Sequence, residues 1–485
     1  MAWKGDFTPH APMVSDTRWN LADNTFDLIV IGSGPGGYVA AIRAAQLGMK
    51  VACVEADKLG GVCNNIGCIP TKAMLESAKY ARKAGDLKDF GITVGDVKLD
   101  LGVAGKRAKK VADQGSRGVA FLFKKNKIEP VTGWGRLAGG GHVTVSGKDG
   151  ERTISAKHII LATGSRAKSL PILKIDGDRV WSSDHAVFPS AAPASLGIIG
   201  AGAIGMEFAD VYSAFGTKVT VIEALEQVLP LEDADCAAVV DKSYRKRGID
   251  IMVSARLEKA DVGKDGVTLT VATKDGKTKT VEVERVLVAV GRAPIVDDIG
   301  LEKAGVQVEK GFIKVDGQLR TTAPGVYAIG DCARPPLLAH KASHEGIKLV
   351  ENLAGQGHGW VDYDNIPNVT YCHPEVASVG LTEKQARDRG LDIEVGSFPW
   401  SANGRARTAG ESEGFVKIIR DRKYSEVVGA HIVGPGASEL IAEFVLGRHL
   451  ETTVEEIEAA IHPHPTLSEA IAEAALGALG RAIHI

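Results

Sequence analysis

The apolar positions near the start of the chain fall into a repeating order of strand-sized and helix-sized runs. Residues 26–31 (FDLIVI) form a short apolar run of strand type, followed by the glycine-rich turn Gly32-Ser33-Gly34-Pro35-Gly36-Gly37. Residues 38–47 (YVAAIRAAQL) then read as a helix that Gly48 stops, and residues 50–54 give a second strand ending at Glu55. This strand, glycine turn, helix, strand and acid is the dinucleotide-binding fingerprint in its proper setting. The same order returns downstream. Residues 195–199 lead into Gly200-Ala201-Gly202-Ala203-Ile204-Gly205, 206–215 form the helix, and 218–222 form a strand ending at Glu223. From Gly37 to Glu55 is 18 positions, as it is from Gly205 to Glu223, and the whole unit repeats after 168 residues.

One bare G-x-G-x-x-G is weak evidence, because glycine turns also arise for structural reasons. Two matches with flanking strand, helix and acid are not readily explained that way. The glycines let backbone approach a pyrophosphate, and the helix N-terminus offers N–H groups and positive dipole. Glu55 and Glu223 are placed to accept hydrogen bonds from ribose hydroxyls. At Glu223 a carboxylate suits a free 2′-hydroxyl and repels a 2′-phosphate. The following Ala224-Leu225-Glu226-Gln227 supplies no Arg, so NAD is expected over NADP.

Between and after these units the pattern changes. Residues 60–90 read as helical after a Gly/Pro-rich start, whereas 120–164 alternate short strands with turns and end in Ile159-Ile160-Leu161-Ala162-Thr163-Gly164. Residues 250–290 repeat that style up to Gly291, so each nucleotide unit is expected to carry a β-meander before its last strand. Residues 322–331 (TTAPGVYAIGD) read as a strand delivering Asp331 to a glycine turn. From about residue 361, strands such as 415–419 mix with helices at 439–446 and 467–474, without a third fingerprint. The expected class is α/β: two Rossmann-like domains with β-meander insertions, plus an α+β C-terminal domain. The expected boundaries are 1–25 for an extension, 26–165 and 293–360 for two parts of a first nucleotide-binding domain, 166–292 for a second, NAD-binding domain, and 361–485 for a C-terminal domain of different role.

Composition narrows the function. A chain of 485 residues exceeds one hydrophobic core, and 44% apolar with 24% charged residues is ordinary for a globular protein. With 58 basic and 60 acidic residues, nothing supports a nucleic-acid partner. No stretch approaches a membrane span. The first 20 residues lack the apolar core of a secretory signal and carry acids, so neither a signal nor a transit peptide is read there. Residues 1–25 are too few to fold a further domain. The six cysteines are sparse for a disulfide scaffold, which points to a reducing compartment. A bacterial cytoplasm is expected, or a mitochondrial matrix for a processed chain.

Only Cys63 and Cys68 are close together, in residues 59–72 (LGGVCNNIGCIPTK). On a regular helix the second side chain would point away from the first, so a bridge needs an irregular first turn. Asn64, Asn65 and Gly67 favour that, with Pro70 near the start of the helix that follows. A Cys68 thiolate would then sit beside positive helix dipole. Two buried, inert cysteines or half a zinc site are the alternatives. A zinc site needs two more ligands that the neighbourhood lacks, so no metal is expected. At the other end, residues 462–469 (HPHPTLSE) form a His-Pro turn before a helix, which could be merely structural. Alternatively His464 is a base, with Glu469 holding its other ring nitrogen.

The cysteine segment resembles the redox-active stretch of the class I pyridine nucleotide–disulfide oxidoreductases, commonly GGTCLNVGCIPSK. Val62, Asn64, Ile66 and Thr71 depart from that wording, while both cysteines, the glycines, Pro70 and Lys72 keep it. The resemblance runs from residue 26 to about 480 and takes in the C-terminal HxHPTxSE signature, residues 371–383 (YCHPEVASVGLTE) and residues 402–406. It implies that Cys63 exchanges with a dithiol substrate and that Cys68 lies against the flavin. It further implies that Lys72 sits beside the flavin paired with Glu207, that Ile204 gates the nicotinamide, and that His464 with Glu469 serves the partner subunit's cysteines in an obligate homodimer. For FAD it implicates Gly32, Gly34, Gly37, Glu55, Gly135, Thr163, Gly164, Ser165, Asp331, Leu337, Leu338, Ala339 and His340. For NAD it implicates Gly200, Gly202, Ile204, Gly205, Glu207, Glu223, Leu257 and Gly291.

Within the family, an NADP-type neighbour of Glu223 is missing, and no cysteine follows Cys372. This disfavours glutathione-, thioredoxin- and mercury-reducing relatives. Residues 339–342 (AHKA) and HPTLSE point to the branch that oxidises dihydrolipoamide on lipoyl-domain proteins with NAD, in 2-oxoacid dehydrogenase complexes or the glycine cleavage system. Another NAD(P)H-dependent disulfide reductase, or a subunit valued mainly for docking, are the competing readings.

Overall fold

The computed structural model describes residues 24–485, so nearly all of the expected 1–25 extension lies outside the described residues. The first unit begins with β1 (Thr25–Ile31), whose residues from Leu28 onward are almost completely buried. That pattern suits a strand covered on both faces of a parallel sheet. Helix α1 (Pro35–Gln46) starts with proline in its first turn, where a missing N–H costs little, and β2 (Val51–Glu55) returns beside β1. Then come α2 (Gly61–Asn65), α3 (Cys68–Asp86) and α4 (Leu101–Lys125). The next strands are β3 (Glu129–Thr132), β4 (Trp134–Gly139), β5 (His142–Gly147) and β6 (Gly150–Leu161). The sheet order is β3-β2-β1-β6-β5-β4. Strand β6 has two uses. Its first half pairs antiparallel with β5, and its second half runs parallel to β1.

The expected strands over 120–164 need one correction, because residues 120–125 finish α4. That helix is longer than any run the pattern suggested. Asp100 caps it by accepting the Val103 N–H at 3.0 Å, and Leu101, Ala104, Ala108, Ala112, Val119 and Phe123 form its buried stripe. The three alanines of that stripe, with Gly102 and Gly105 buried beside them, dilute the apolar signal, which is why the periodicity was not evident.

The chain leaves the first unit through β7 (Ser165–Ala167) and returns through β16 (Arg292–Pro294), and the two strands pair antiparallel. Between them lies a second unit of β8 (Val180–Trp181), α5 (Ser183–Ala186), β9 (Ser195–Ile199), α6 (Ala203–Ala214), β10 (Lys218–Ile222), α7 (Ala234–Lys246), β11 (Asp250–Met252) and β15 (Arg285–Val288). Its parallel sheet has the order β11-β10-β9-β15-β8. The meander β12 (Arg256–Val262), β13 (Val267–Ala272) and β14 (Thr278–Val283) forms a separate antiparallel sheet inserted before β15. After α8 (Leu301–Ala304), β17 (Val308–Glu309) and β18 (Phe312–Ile313), β19 (Val326–Ala328) joins β6 in parallel. The strand expected across 322–331 is thus confined to three residues. Helix α9 (Ala339–Leu353) packs on α1 through the close pair Gly36 and Ala342.

The third unit is the antiparallel sheet β20-β21-β24-β23-β22, formed by β20 (Asn368–Thr370), β21 (Val376–Gly380), β22 (Ile393–Pro399), β23 (Phe415–Asp421) and β24 (Val427–Val433). Helices α10 (Glu383–Asp388), α11 (Gly404–Ala409), α12 (Ala437–His449), α13 (Val454–Ala459) and α14 (Glu469–Ala478) accompany it. Trp400, Phe444 and Ile471 are buried at its centre. The whole is the expected α/β class, with two doubly wound nucleotide-binding folds and an α+β C-terminal unit.

Candidate active site

The two glycine turns have the same construction. Gly32 and Gly200 adopt φ of +101° and +103°, which an L side chain rarely takes. A Cβ on either would run into a carbonyl of the next strand's end, Ala162 or Ala289. Gly37 and Gly205 let their helices pack directly against the carbonyl oxygens of Gly32 and Gly200. Both acids tie back to these turns. Glu55 accepts N–H groups from Ser33 at 2.9 Å and Asp57 at 3.0 Å, and Glu223 accepts those of Ala201 at 2.6 Å and Leu225 at 2.8 Å. A Cβ on Gly34 or Gly202, the N-cap residues of α1 and α6, would meet nothing within 4 Å. Each turn therefore leaves open the space in front of a helix N-terminus, where an anionic group is favoured.

The first turn opens into a cavity of about 500 Å3. Its lining includes Gly32, Gly34, Glu55, Gly135, Thr163, Gly164, Ser165, Asp331, Leu337, Leu338 and Ala339, with Cys63, Cys68, Lys72, Ile204 and Glu207 also on its wall. Gly37 lies behind the wall, where it supports the turn. His340 follows Ala339 outside this lining, and its ring Nε2 faces the Pro367 carbonyl 2.9 Å away. The second set lies outside this cavity apart from Ile204 and Glu207. Leu257 turns its side chain into the core of the second unit, while Gly291 has open space where a Cβ would stand.

Cys63 and Cys68 form a disulfide with Cα atoms 4.7 Å apart. Helix α2 ends at Asn65, Ile66 and Gly67 break the helical path, and Cys68 is the first residue of α3. That break brings together two side chains which a continuous helix would separate. Beside them, Lys72 Nζ donates to both oxygens of Glu207 at 2.9 and 3.0 Å. The Tyr371 N–H donates to Glu207 Oε1 at 3.0 Å, and the Tyr371 ring lies under the Lys72 ammonium at 4.5 Å. Three units of the fold therefore meet at one ion pair. Asp331 accepts the Ser165 hydroxyl, which in turn accepts Arg292 Nε at 2.7 Å. Tyr371 and Arg292 gave no signal of this in the sequence, since both contacts are long-range and no spacing rule connects them.

His464 and Glu469 stand away from this cavity. The Glu469 carboxylate contacts His464 Nδ1 at 2.7 Å and accepts the Thr466 N–H at 2.8 Å. Partial burial alone would raise the Glu469 carboxyl, but the Thr466 N–H and the His464 ring outweigh it and hold the group below the usual carboxylate range. The His464 side chain remains 79% exposed and does not line the wall that holds Cys63. Among the described residues, no cluster of three or more His, Cys, Asp and Glu could hold a metal ion, and no helix is long and apolar enough to cross a membrane.

Residues 26–346 match the pyridine nucleotide-disulphide oxidoreductase family, and residues 366–475 match the dimerisation domain of the same family. A dihydrolipoyl dehydrogenase of Rhizobium etli is 45% identical over 477 residues, covering 95% of this chain and 99% of its own. One from Bacillus subtilis is 42% identical, covering 95% and 99%. The mitochondrial dihydrolipoyl dehydrogenase of Pisum sativum is 42% identical, covering 95% and 92%. Among solved structures, LpdA from Mycobacterium tuberculosis superposes with a TM-score of 0.86 at 30% identity, covering 92% of this chain and 98% of that one. Repeated glycine turns, a cavity-lining disulfide and these full-length likenesses lead to one conclusion: the chain belongs to the pyridine nucleotide-disulphide oxidoreductase family.

Proposed function

We propose that the chain is an FAD-dependent oxidoreductase that converts protein-bound dihydrolipoamide to lipoamide and reduces NAD to NADH. The observation that carries this reading is the Cys63–Cys68 disulfide on the wall of a cavity that begins at a dinucleotide turn. The cavity suits FAD. The α1 N-terminus and the open space at Gly34 fit a pyrophosphate, Glu55 fits a ribose, and Asp331 and Lys72 supply polar contacts farther along. Bound there, FAD supplies a two-electron relay between a dithiol and a nicotinamide.

The chain's own groups handle sulfur and protons. His464 of the partner subunit removes a proton from dihydrolipoamide, because the thiolate is the attacking species. Glu469 holds the ring's other nitrogen and so fixes which nitrogen faces the substrate. The thiolate attacks Cys63, forming a mixed disulfide and releasing Cys68 as thiolate. The second lipoyl thiol, once deprotonated, attacks the lipoyl sulfur of the mixed disulfide, and Cys63 leaves as thiolate. The product leaves as a cyclic disulfide, and both cysteines are left reduced. Lys72, held by Glu207, keeps a positive charge beside the newly charged cysteine. Glu223 selects NAD through its carboxylate.

The dimerisation-domain match supports a homodimer. Lipoyl-domain proteins of 2-oxoacid dehydrogenase complexes or of glycine cleavage are the partners we assign. We place the enzyme in the bacterial cytoplasm, or in the mitochondrial matrix for a processed chain, as its relatives include both bacterial and mitochondrial proteins. The test is direct. Purified protein should be yellow and should form NADH from dihydrolipoamide and NAD. A yellow protein that makes no NADH, yet turns over NADPH with another disulfide, would move it to a different branch. A colourless protein that takes up no flavin would refute the reading altogether.

A further inference from the structure

Asn64 lies between the two bonded cysteines, at one of the positions where this chain leaves the commonest form of its motif. Its side chain faces away from the cavity. The amide Nδ2 donates to the Ala112 carbonyl of α4 at 3.2 Å. Oδ1 rests so close over Gly115 that a Cβ there would overlap it. A glycine inside a helix is less favourable than alanine, and at Gly115 the missing side chain makes room for this amide. One turn of α4 holds the same segment twice more. Ser116 Oγ donates to the Leu59 carbonyl at 2.9 Å, and Asp113 lies 3.8 Å from Lys58.

We propose that Asn64 is a positioning residue through which α4 sets the redox equilibrium of the Cys63–Cys68 pair. This rests on the reading of that pair as the redox centre. Closing a disulfide within one chain depends on how near the backbone keeps the two sulfurs, an effective-concentration problem. Docking on α4 restrains the α2 turn that carries Cys63 whether or not the bond is present. The reduced pair therefore stays close to Cα positions 4.7 Å apart, and the disulfide is favoured. Freeing the turn lowers the effective concentration and moves the balance toward the dithiol.

The experiment equilibrates the full-length holoenzyme in mixtures of reduced and oxidised dithiothreitol. Reduced dithiothreitol gives two electrons and two protons to the protein disulfide and closes to its own cyclic disulfide. Samples are acid-quenched and alkylated, and the mass of the peptide carrying both cysteines gives the dithiol-to-disulfide ratio. Asn64→Ala should raise that ratio three- to tenfold at a fixed mixture, tenfold being about 30 mV for this two-electron couple. Gly115→Ala, which evicts the amide, should shift it in the same direction. The double variant should shift no further than the larger single change, since both remove one contact. Where Gly115→Ala disturbs the helix, Asn64→Ala decides alone. A ratio within twofold of wild type in Asn64→Ala, or additive shifts in the double variant, overturns the inference. If the wild-type pair does not exchange with dithiothreitol, the redox reading itself fails and takes the inference with it.

Discussion

The Glu207 side chain is 5% exposed while that of Lys72, its partner at 2.9 Å, is 32% exposed. One member of the pair can reach water and the other cannot. The Tyr371 N–H is the remaining donor to Glu207.

Loss of the lysine should therefore cost more than loss of the glutamate. Lys72→Met leaves a buried carboxylate with one backbone donor, and about 2–3 kcal/mol of stability should go. That is less than the roughly 3–5 kcal/mol of a fully buried pair, because Lys72 is itself partly solvated. Glu207→Gln keeps an acceptor for Tyr371 and leaves the ammonium free to turn outward, at about 1 kcal/mol. Urea unfolding of the two variants side by side tests the order. Equal losses would contradict the asymmetry.

Both nucleotide folds were legible because their signals are local. A strand, a glycine turn, a helix and an acid lie within about 30 consecutive residues, and Gly32 and Gly200 are needed by the backbone itself. The long helix α4 was not legible, as its buried face is built largely of glycine and alanine. The contacts that shape the cavity were equally hidden. Lys72 with Glu207 came from family likeness, whereas Tyr371 beneath Lys72 and Arg292 on Ser165 depend on how three units dock. The contact between the His340 ring and the Pro367 carbonyl was hidden for the same reason.

Glu223 gives a prediction about cofactor choice. Its carboxylate is buried and already accepts the N–H groups of Ala201 in the glycine turn and of Leu225, which fixes the oxygens in place before any ribose arrives. Glu223→Ala should lower kcat/KM for NAD by about 10–100-fold. The preference for NAD over NADP should shrink as well, because the charge that repels a 2′-phosphate is gone. Steady-state rates with both cofactors measure this. An unchanged ratio would remove Glu223 from the selection.

Thiol reactivity should separate the cysteines into two groups. Cys53, Cys236, Cys332 and Cys372 are buried, and burial pushes each of these thiols up from its ordinary value. In the folded, reduced protein a thiol reagent should rapidly titrate Cys63 and Cys68 alone, and all six should react only after unfolding. Cys63→Ser or Cys68→Ser should leave a single fast thiol and less than about a thousandth of the dithiol-oxidising rate. Fast reaction of a third thiol in the native protein would contradict the burial.

Glu469 sets an acid-range dependence. Its carboxyl is depressed in the folded state, so the stability it contributes is fully present above the unfolded value near 4.5 and is lost as pH falls through the lower folded value. Glu469→Gln should reduce stability at neutral pH and flatten the change with pH across that acid window. Turnover should fall too, as the His464 ring loses the partner that orients it, though by less than the roughly 10²–10⁴-fold expected for His464→Gln. Melting temperatures from pH 3 to 7 and paired turnover measurements check both parts. A Glu469→Gln profile parallel to wild type would show that the carboxylate is not what titrates.

The exposure of His464 and its absence from the cavity wall lead to the last expectation. If each site takes Cys63 from one subunit and His464 from the other, two inactive variants can rescue each other. Cys63→Ser and His464→Gln homodimers each lack one required group at both sites. In a heterodimer both lesions fall in one site, and the other site is whole. Dissociating and remixing equal amounts makes about half of the dimers mixed, each with one working site of two. Activity should therefore recover to roughly a quarter of wild type under C2 pairing. Sedimentation must confirm that dimers re-formed. Re-formed dimers with no recovered activity would place His464 and Cys63 of each site in the same subunit.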